Sequence, residues 1–469
     1  MPTHPQIHAF RDDALGTHDA VELARLIAKG ELGEDEVRSA VQARAALVDP
    51  RLRAIEVARF DAPQRDAGAR DAPFAGVPIF IKDTLDVAGF PTGYGSAAVE
   101  RRPATRNGAL TRDFLAEGFS IVGKSRLPEF GFSPTGEYED GEPTRNPWNP
   151  EYSSGASSSG AAALVASGVV PIAHGNDGGG SIRIPAACCG LVGLKATRGR
   201  IADGEALSFM PVRIVTEGVL TRTVRDSAHF LAAAERVRPR RGLPPTGLVE
   251  GPGKKRLRIA VVTDSIGGLK SCDETRAVVL RTAQRLEALG HRIEPLTPPV
   301  PQFFMEDFKL YWGFIAFAIR RFGFTQIRGF HPDRLDGLTR GLVRYCEQRM
   351  HRLPLAMARL QGSSLVYKRE FRRFDAVLSP VVSHVAPKLG YFSPLIPFDT
   401  LFERIIAYTA FTPLNNAAGA PGISVPAGRS ATGVPIGVNF SAAHGAERLL
   451  LELAYELEQD AAGAARSEF

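Results

Sequence analysis

The sequence predicts an α/β protein: a large mixed, mostly parallel central sheet covered by helices on both faces. Two observations predict the elements and a third the class. Short apolar runs of strand length recur along the chain, among them GVPIFIKD at 76–83 and FSIVG at 119–123. Amphipathic stretches with helix-cap signals lie between such runs, as in DAVELARLIAKG at 19–30. The two kinds of element alternate from end to end, a pattern that favours parallel neighbours joined by helical crossovers.

The elements follow in order. Val21, Leu23, Leu26 and Ile27 recur at helical spacing, with Asp19 placed as N-cap and Gly30 as the stop. A second helix over 34–47 should end before Pro50. The run 76–83 reads as a buried strand that delivers Lys82 at its end. Residues 110–117 are helical and 119–123 form a strand. Residues 136–152, rich in Gly, Pro and Asn, read as a loop. Small residues at 159–167 suit a helix, and 169–173 a short strand. Residues 258–263, 274–289 and 291–296 read as strand, helix and strand. The apolar stretch 311–319 is too short to span a bilayer and reads as a buried helix. Late strands at 375–379 and 423–426 precede a closing amphipathic helix at 447–458.

Composition narrows the function classes. Hydrophobic residues make up 44% and charged residues 23%, so wholesale disorder is excluded. The net charge of +6 is mild. Its clusters, Arg238, Arg240 and Arg241, then Lys254, Lys255 and Arg256, sit among Pro and Gly with no interleaved aromatic residues. They read as exposed loops, not a nucleic-acid surface. Cys188, Cys189, Cys272 and Cys346 form no C-x-x-C pair, which argues against a disulfide framework or a zinc site and suits a reducing, cytoplasmic compartment. No role for Cys346 is legible. The N-terminal residues lack a basic stretch followed by an apolar one, so no secretory signal is expected. Residues 238–255 are the best linker candidate, but nothing requires a boundary there, and one domain over 1–469 is expected.

The segment 153–197, SSGASSSGAAALVASGVVPIAHGNDGGGSIRIPAACCGLVGLKAT, carries the chemistry. A flexible linker would have polar flanks, whereas VVPIA and IPAACCGLVGL enclose the glycines with core-like sequence. Gly178, Gly179 and Gly180 lead straight into Ser181. Consecutive backbone N–H groups beside a hydroxyl suit acyl transfer, in which the hydroxyl attacks a carbonyl and the N–H groups hold the oxyanion. Neither Ser157 nor Ser181 fits G-x-S-x-G. His174 lies near in sequence, but no orienting carboxylate is evident, and a histidine bonded to local backbone is the expectation. Asp177 and Arg183 read as an ion pair bracing the loop. GFSIVGKS at 118–125 fits the P-loop expression, but it lacks the strand-then-helix context, and nucleotide binding is not expected.

Several motifs in order resemble the amidase signature family: GVPIFIKD, GKSRLPEFG, RNPWNPEYSSGASSSG, HGNDGGGSIRIPA, CGLVGLKATRGR, GVLTRTVRD and FTPLNNAAGAPGISVPAG. The resemblance covers most of the chain and is densest from 76 to 226. It implies a Ser–Ser–Lys amide hydrolase with Lys82 as base, Ser157 as relay after an unusual cis peptide, and Ser181 as nucleophile. It further implies that Gly178, Gly179, Gly180 and Ser181 supply the oxyanion N–H groups and that Ser158 helps hold the lysine. No metal or organic cofactor is implied, and a small-molecule amide is the expected partner. Dimers are frequent in the family, so a homodimer is the assembly the resemblance offers. A lysine base must be neutral, and a free lysine has a pKa of about 10.4; burial behind Phe80 and Ile81 would lower it.

Two rival readings use the same fold: the ammonia-releasing subunit of a tRNA-dependent amidotransferase, and a non-catalytic binding module. The first typically carries Gln where this chain has Ile184, and a Ser-Ser-Leu-Asp-Gln stretch that is missing here. The second is weakened because all three chemical positions are filled. The HGND-x-x-GS form resembles the branch acting on cyclic aminohexanoate dimers and acylamides, which implies a bulky or apolar acyl group. Substrate choice is expected from the more variable part at about 238–400, above all 303–352, and from 207–214.

Overall fold

The computed structural model describes residues 6–204, 210–240, 242–298 and 300–467. Residues 207–209 of the expected substrate segment, the first five residues and Arg241 lie outside the described residues. The strands are β1 (Ile55–Ala58), β2 (Pro78–Lys82), β3 (Ser120–Ser125), β4 (Arg145–Asn146), β5 (Asn149–Ser153), β6 (Ile172–Asp177), β7 (Val192–Lys195), β8 (Thr216–Thr221), β9 (Arg258–Val261), β10 (Arg292–Pro295), β11 (Ala376–Pro380), β12 (Gly422–Arg429) and β13 (Pro435–Ala442). All but β4 and β5 form one eleven-stranded sheet, in the order β1-β3-β2-β6-β8-β7-β12-β13-β11-β9-β10. Strands from both sides of 238–255 therefore share one sheet.

The mixed α/β sheet is as expected, but its parallel share is smaller. Only β2–β3, β2–β6, β9–β11 and β9–β10 are parallel. The other pairs are antiparallel, because β8 folds back between β6 and β7, and β12 and β13 form a hairpin. Alternation along the chain reports connections, whereas direction is set by which distant strands meet.

Local signals mostly hold. Asp19 caps the helix Ala20–Ala28 by accepting the Glu22 N–H. The second helix runs further than expected, Glu34–Leu52, with Pro50 inside its last turn. The segment expected as a loop contains the short hairpin β4–β5, turning at Asn146–Asn149. The strand expected at 169–173 starts later, at Ile172, and runs to Asp177. The helix expected at 311–319 is real and longer, Phe303–Gln326. Among the described residues no helix is long and apolar enough to cross a membrane. Three of the basic residues are paired locally: Arg238 with Asp113, Lys255 with Asp375 and Arg256 with Glu456.

The P-loop look-alike is β3, a buried strand beside β2. Its Lys124 is fully buried and pairs with Asp83 at 2.8 Å, which leaves it no role toward a phosphate. Its glycines serve packing. A Cβ at Gly123 would come within 2.5 Å of the Phe80 ring and 2.6 Å of the Val57 carbonyl oxygen. Gly123→Ala should therefore destabilise the protein by about 1–3 kcal/mol through overpacking next to Lys82, read as a lower denaturant midpoint.

Candidate active site

Strand β2 lies between β3 and β6, with all five of its residues buried. Apolar side chains hold this strand in the core, and the sequence places Lys82 at its last position. Its Nζ lies 2.8 Å from Ser157 Oγ, 3.1 Å from Ser158 Oγ and 2.6 Å from Asn176 Oδ1. Burial drives this amine from its ordinary value down to about 7, against the pull of Glu217 and Asp177. A neutral amine has two N–H groups and one lone pair. Asn176 Oδ1 can only accept, and Ser158 Oγ sits 3.4 Å from the Asn176 carbonyl as its donor. Those two acceptors take both N–H groups, and the lone pair faces the Ser157 hydroxyl.

Ser157 follows a cis Ala156–Ser157 peptide and is buried. Gly131 must lack a side chain here, because a Cβ would meet Ser157 Oγ at 2.9 Å. Ser158 precedes the helix Ser159–Ala166, and its N–H donates to the Ser181 carbonyl at 3.3 Å, which ties the two serine loops together. Ser181 is 8% exposed and opens onto a cleft. Among the described residues its hydroxyl has no hydrogen-bond partner, so the Ser157–Ser181 link is open in this conformation. Catalytic hydrogen bonds often tighten only when substrate is bound.

The ion pair expected beside Ser181 is present and fully buried. Arg183 Nε and Nη2 reach Asp177 Oδ2 and Oδ1 at 2.9 and 3.0 Å. Burial opposes ionisation of Asp177, but the Arg183 guanidinium overrides it and holds the carboxyl well below its usual range. Asp177 Oδ1 accepts the Gly180 N–H at 2.7 Å. The Gly180 N–H, expected in the oxyanion set, is thus committed inward to Asp177. The turn needs glycine at 180, where φ is +127° and a Cβ would lie 2.4 Å from Thr412 Oγ1.

Sequence reasoning missed the partners that complete the site. Asn176 follows His174 by two residues in HGND, and only the fold shows that it holds Lys82. Asn415 and Asn416, within the motif FTPLNNAAG, accept from Arg183 Nη1 and Nη2 at 3.0 and 2.7 Å. Asn416 Nδ2 donates to Asp177 Oδ1 at 2.9 Å. His174 is bonded to backbone, but not to the local backbone expected: its Nδ1 accepts the Lys82 N–H at 3.2 Å, 92 positions away on β2. A carboxylate does orient it, contrary to expectation: Glu217 Oε2 lies 2.9 Å from Nε2. With both ring nitrogens committed, it reaches neither serine hydroxyl. Cys346 packs among Leu310, Leu353 and Ala356, and burial lifts its thiol to about 11, so it serves as core.

The cleft over Ser181 is lined by Phe132, Ile184, Met305, Phe308, Trp312, Ile405 and Ile406, with Gly131, Ser133, Pro134, Ala156, Gly179, Thr409 and Pro413. No charged side chain is among them. The aromatic segment is thus divided: Phe308 and Trp312 stack at 5.9 Å on the cleft side, while Tyr311 is fully buried and bonds Val212. A roomier apolar cavity of about 330 Å³ shares no lining residue with this cleft, and none of Ser157, Ser181 and Lys82 lines it.

This sheet and its two serine loops place the molecule among the hydrolases that act on amide bonds. The family model described as Amidase matches residues 36–451, and the chain belongs to the amidase signature family. It is similar to "Putative amidase AmiC" of Mycobacterium tuberculosis, 50% identical over 460 residues and 97% of each chain. It is 33% identical over 468 residues, 94% of each chain, to the 6-aminohexanoate-cyclic-dimer hydrolase of Paenarthrobacter ureafaciens. A structure of 6-aminohexanoate cyclic dimer hydrolase with substrate aligns with a TM-score of 0.84 at 31% identity, covering 95% of this chain and 97% of the other.

Proposed function

We propose that this amidase cleaves uncharged amides with apolar flanks through an acyl-enzyme on Ser181, relayed by Ser157 to Lys82. The observation that carries the reading is the fully buried Lys82 amine, 2.8 Å from Ser157 Oγ. Lys82 draws the Ser157 proton, and Ser157 draws that of Ser181 once substrate closes the gap. Ser181 Oγ then bonds to the carbonyl carbon, and the oxyanion meets the N–H groups of Gly178, Gly179 and Ser181. The proton returns through Ser157 to the leaving nitrogen as the C–N bond breaks. Water hydrolyses the acyl-enzyme by the same relay. Asp177, paired to Arg183, braces the loop without facing the oxyanion.

The cleft's uncharged lining favours a neutral substrate, and Ile184 supplies an apolar wall at the position where the amidotransferase branch carries glutamine. A panel of aryl, alkyl and cyclic amides should show turnover rising with apolar character and falling when a charge is added beside the scissile bond. The base also fixes a pH dependence. Lys82 works only as the neutral amine, and burial sets its pKa at about 7. kcat/KM on a neutral amide should therefore rise with pH through about 7 and level off above it. A profile flat from pH 5 to 9 would remove Lys82 from the role of base.

A further inference from the structure

Behind Lys82 lies an acid pair that this scheme does not use. His174 and Glu217 sit on the neighbouring antiparallel strands β6 and β8, and Glu217 is the cross-strand partner of Asn176. His174 and Asn176 are two residues apart and so share a face of β6. Asn176 binds the Lys82 amine, and His174 binds the Lys82 backbone. A peptide N–H can only donate, so His174 Nδ1 is the acceptor and its ring proton sits on Nε2, aimed at Glu217 Oε2 at 2.9 Å. Phe114 packs edge-on against the imidazole at 5.2 Å. His174 and Glu217 are 0% and 1% exposed.

A carboxylate in such a place is costly unless paired. Among the described residues no lysine or arginine forms an ion pair with Glu217, and its Oε1 has no hydrogen-bond partner. The charges acting on Lys82 are few. Asp177 is already matched by Arg183, and the adjacent Asp83 and Lys124 match each other. Ser157, Ser158 and Asn176 carry no charge. Glu217 is left as the acidic group near the amine that no lysine or arginine matches among the described residues. Burial lowers the proton affinity of Lys82, and Glu217 is the first opposing influence, ahead of Asp177.

We propose that Glu217, held through His174 against the Lys82 backbone, is a positioning residue that sets how readily the lysine takes up the serine proton. The inference rests on the reading of Lys82 as base. A negative charge favours the protonated amine, so removing it favours the neutral one. In Glu217→Gln the acid limb of kcat/KM should move down by about one pH unit, giving roughly tenfold more neutral amine well below the limb. Above about pH 9, where the amine is neutral in both proteins, their rates should converge.

The test is the pH profile of wild type and Glu217→Gln on one neutral amide, with Ser181→Ala as control and circular dichroism to verify folding. A pair that only supports the fold would lower kcat at every pH and leave the limb in place. An unmoved limb, with Ser181→Ala inactive, overturns this inference and leaves the Ser–Ser–Lys reading standing. An active Ser181→Ala overturns that reading and this inference with it. Should Glu217→Gln not fold, Glu217→Asp, which draws the charge back by one methylene, is titrated instead. A smaller downward shift is then expected, and an unmoved limb again overturns the proposal.

Discussion

Ser181→Ala is expected to lower kcat for amide hydrolysis by about 10⁴-fold or more while leaving the fold intact. The size follows from the role: without the hydroxyl no acyl-enzyme forms, and what remains is the cleft's capacity to bind and to polarise the carbonyl. The fold is spared because Ser181 Oγ makes no hydrogen bond among the described residues, so its loss orphans no partner and should change stability by no more than about 0.5 kcal/mol. Two measurements check this. Steady-state turnover of a neutral anilide should collapse, and mass spectrometry of enzyme quenched during turnover should find the acyl group on the wild-type peptide containing Ser181 and none on the variant. A variant retaining a tenth of the wild-type rate would assign the nucleophile elsewhere.

The residues proposed to meet substrate were legible because their chemistry is written locally. Gly178, Gly179 and Gly180 before Ser181 announce backbone N–H groups beside a hydroxyl, and an apolar strand ending in Lys82 announces a buried amine. The residues that hold them were not legible, because their contacts are distant in sequence. Asn416 reaches Asp177 across 239 positions, and an asparagine in LNN looks like any turn residue until the chain is folded. Glu217 hid for a related reason: it belongs to β8, whose place between β6 and β7 no local pattern reveals. The same non-locality explains why a reading of alternating strands and helices overstated the parallel share of the sheet. At Gly180 the sequence cannot tell which way the peptide N–H points. Asp177 decides that, by drawing it inward.

The expected acid limb near pH 7 and the stability of the serine loop trace to one design constraint. The proposed acyl transfer needs an uncharged lysine, and a dry core favours one. The same dry core makes any ion beside it expensive, so Asp177 is tolerated only where several donors converge on it. Arg183, Asn416 and the N–H groups of Gly180 and Ile182 meet that need. The loop that presents Ser181 is therefore fixed by a saturated carboxylate beneath it.

Arg183→Met tests that dependence and carries a large expected loss of stability, about 3–5 kcal/mol, the usual effect of removing one partner from a buried ion pair. Methionine fills much of the same volume, so the loss comes from charge more than from a cavity. It leaves Asp177 ionised without its cation and strips donors from Asn415 Oδ1, Asn416 Oδ1 and the Thr412 carbonyl. The denaturant midpoint should fall, and kcat should fall even in the protein that remains folded, because Asp177 also fixes the Gly180 peptide. Adding Asp177→Asn to Arg183→Met removes the unmatched charge and should recover part of the stability, giving a positive coupling in a double-mutant cycle. Activity should not return with it, since an amide at 177 offers one acceptor where the carboxylate offers two. If Arg183→Met unfolds at the wild-type midpoint, the guanidinium is dispensable and the loop takes its rigidity from Asn415 and Asn416 alone.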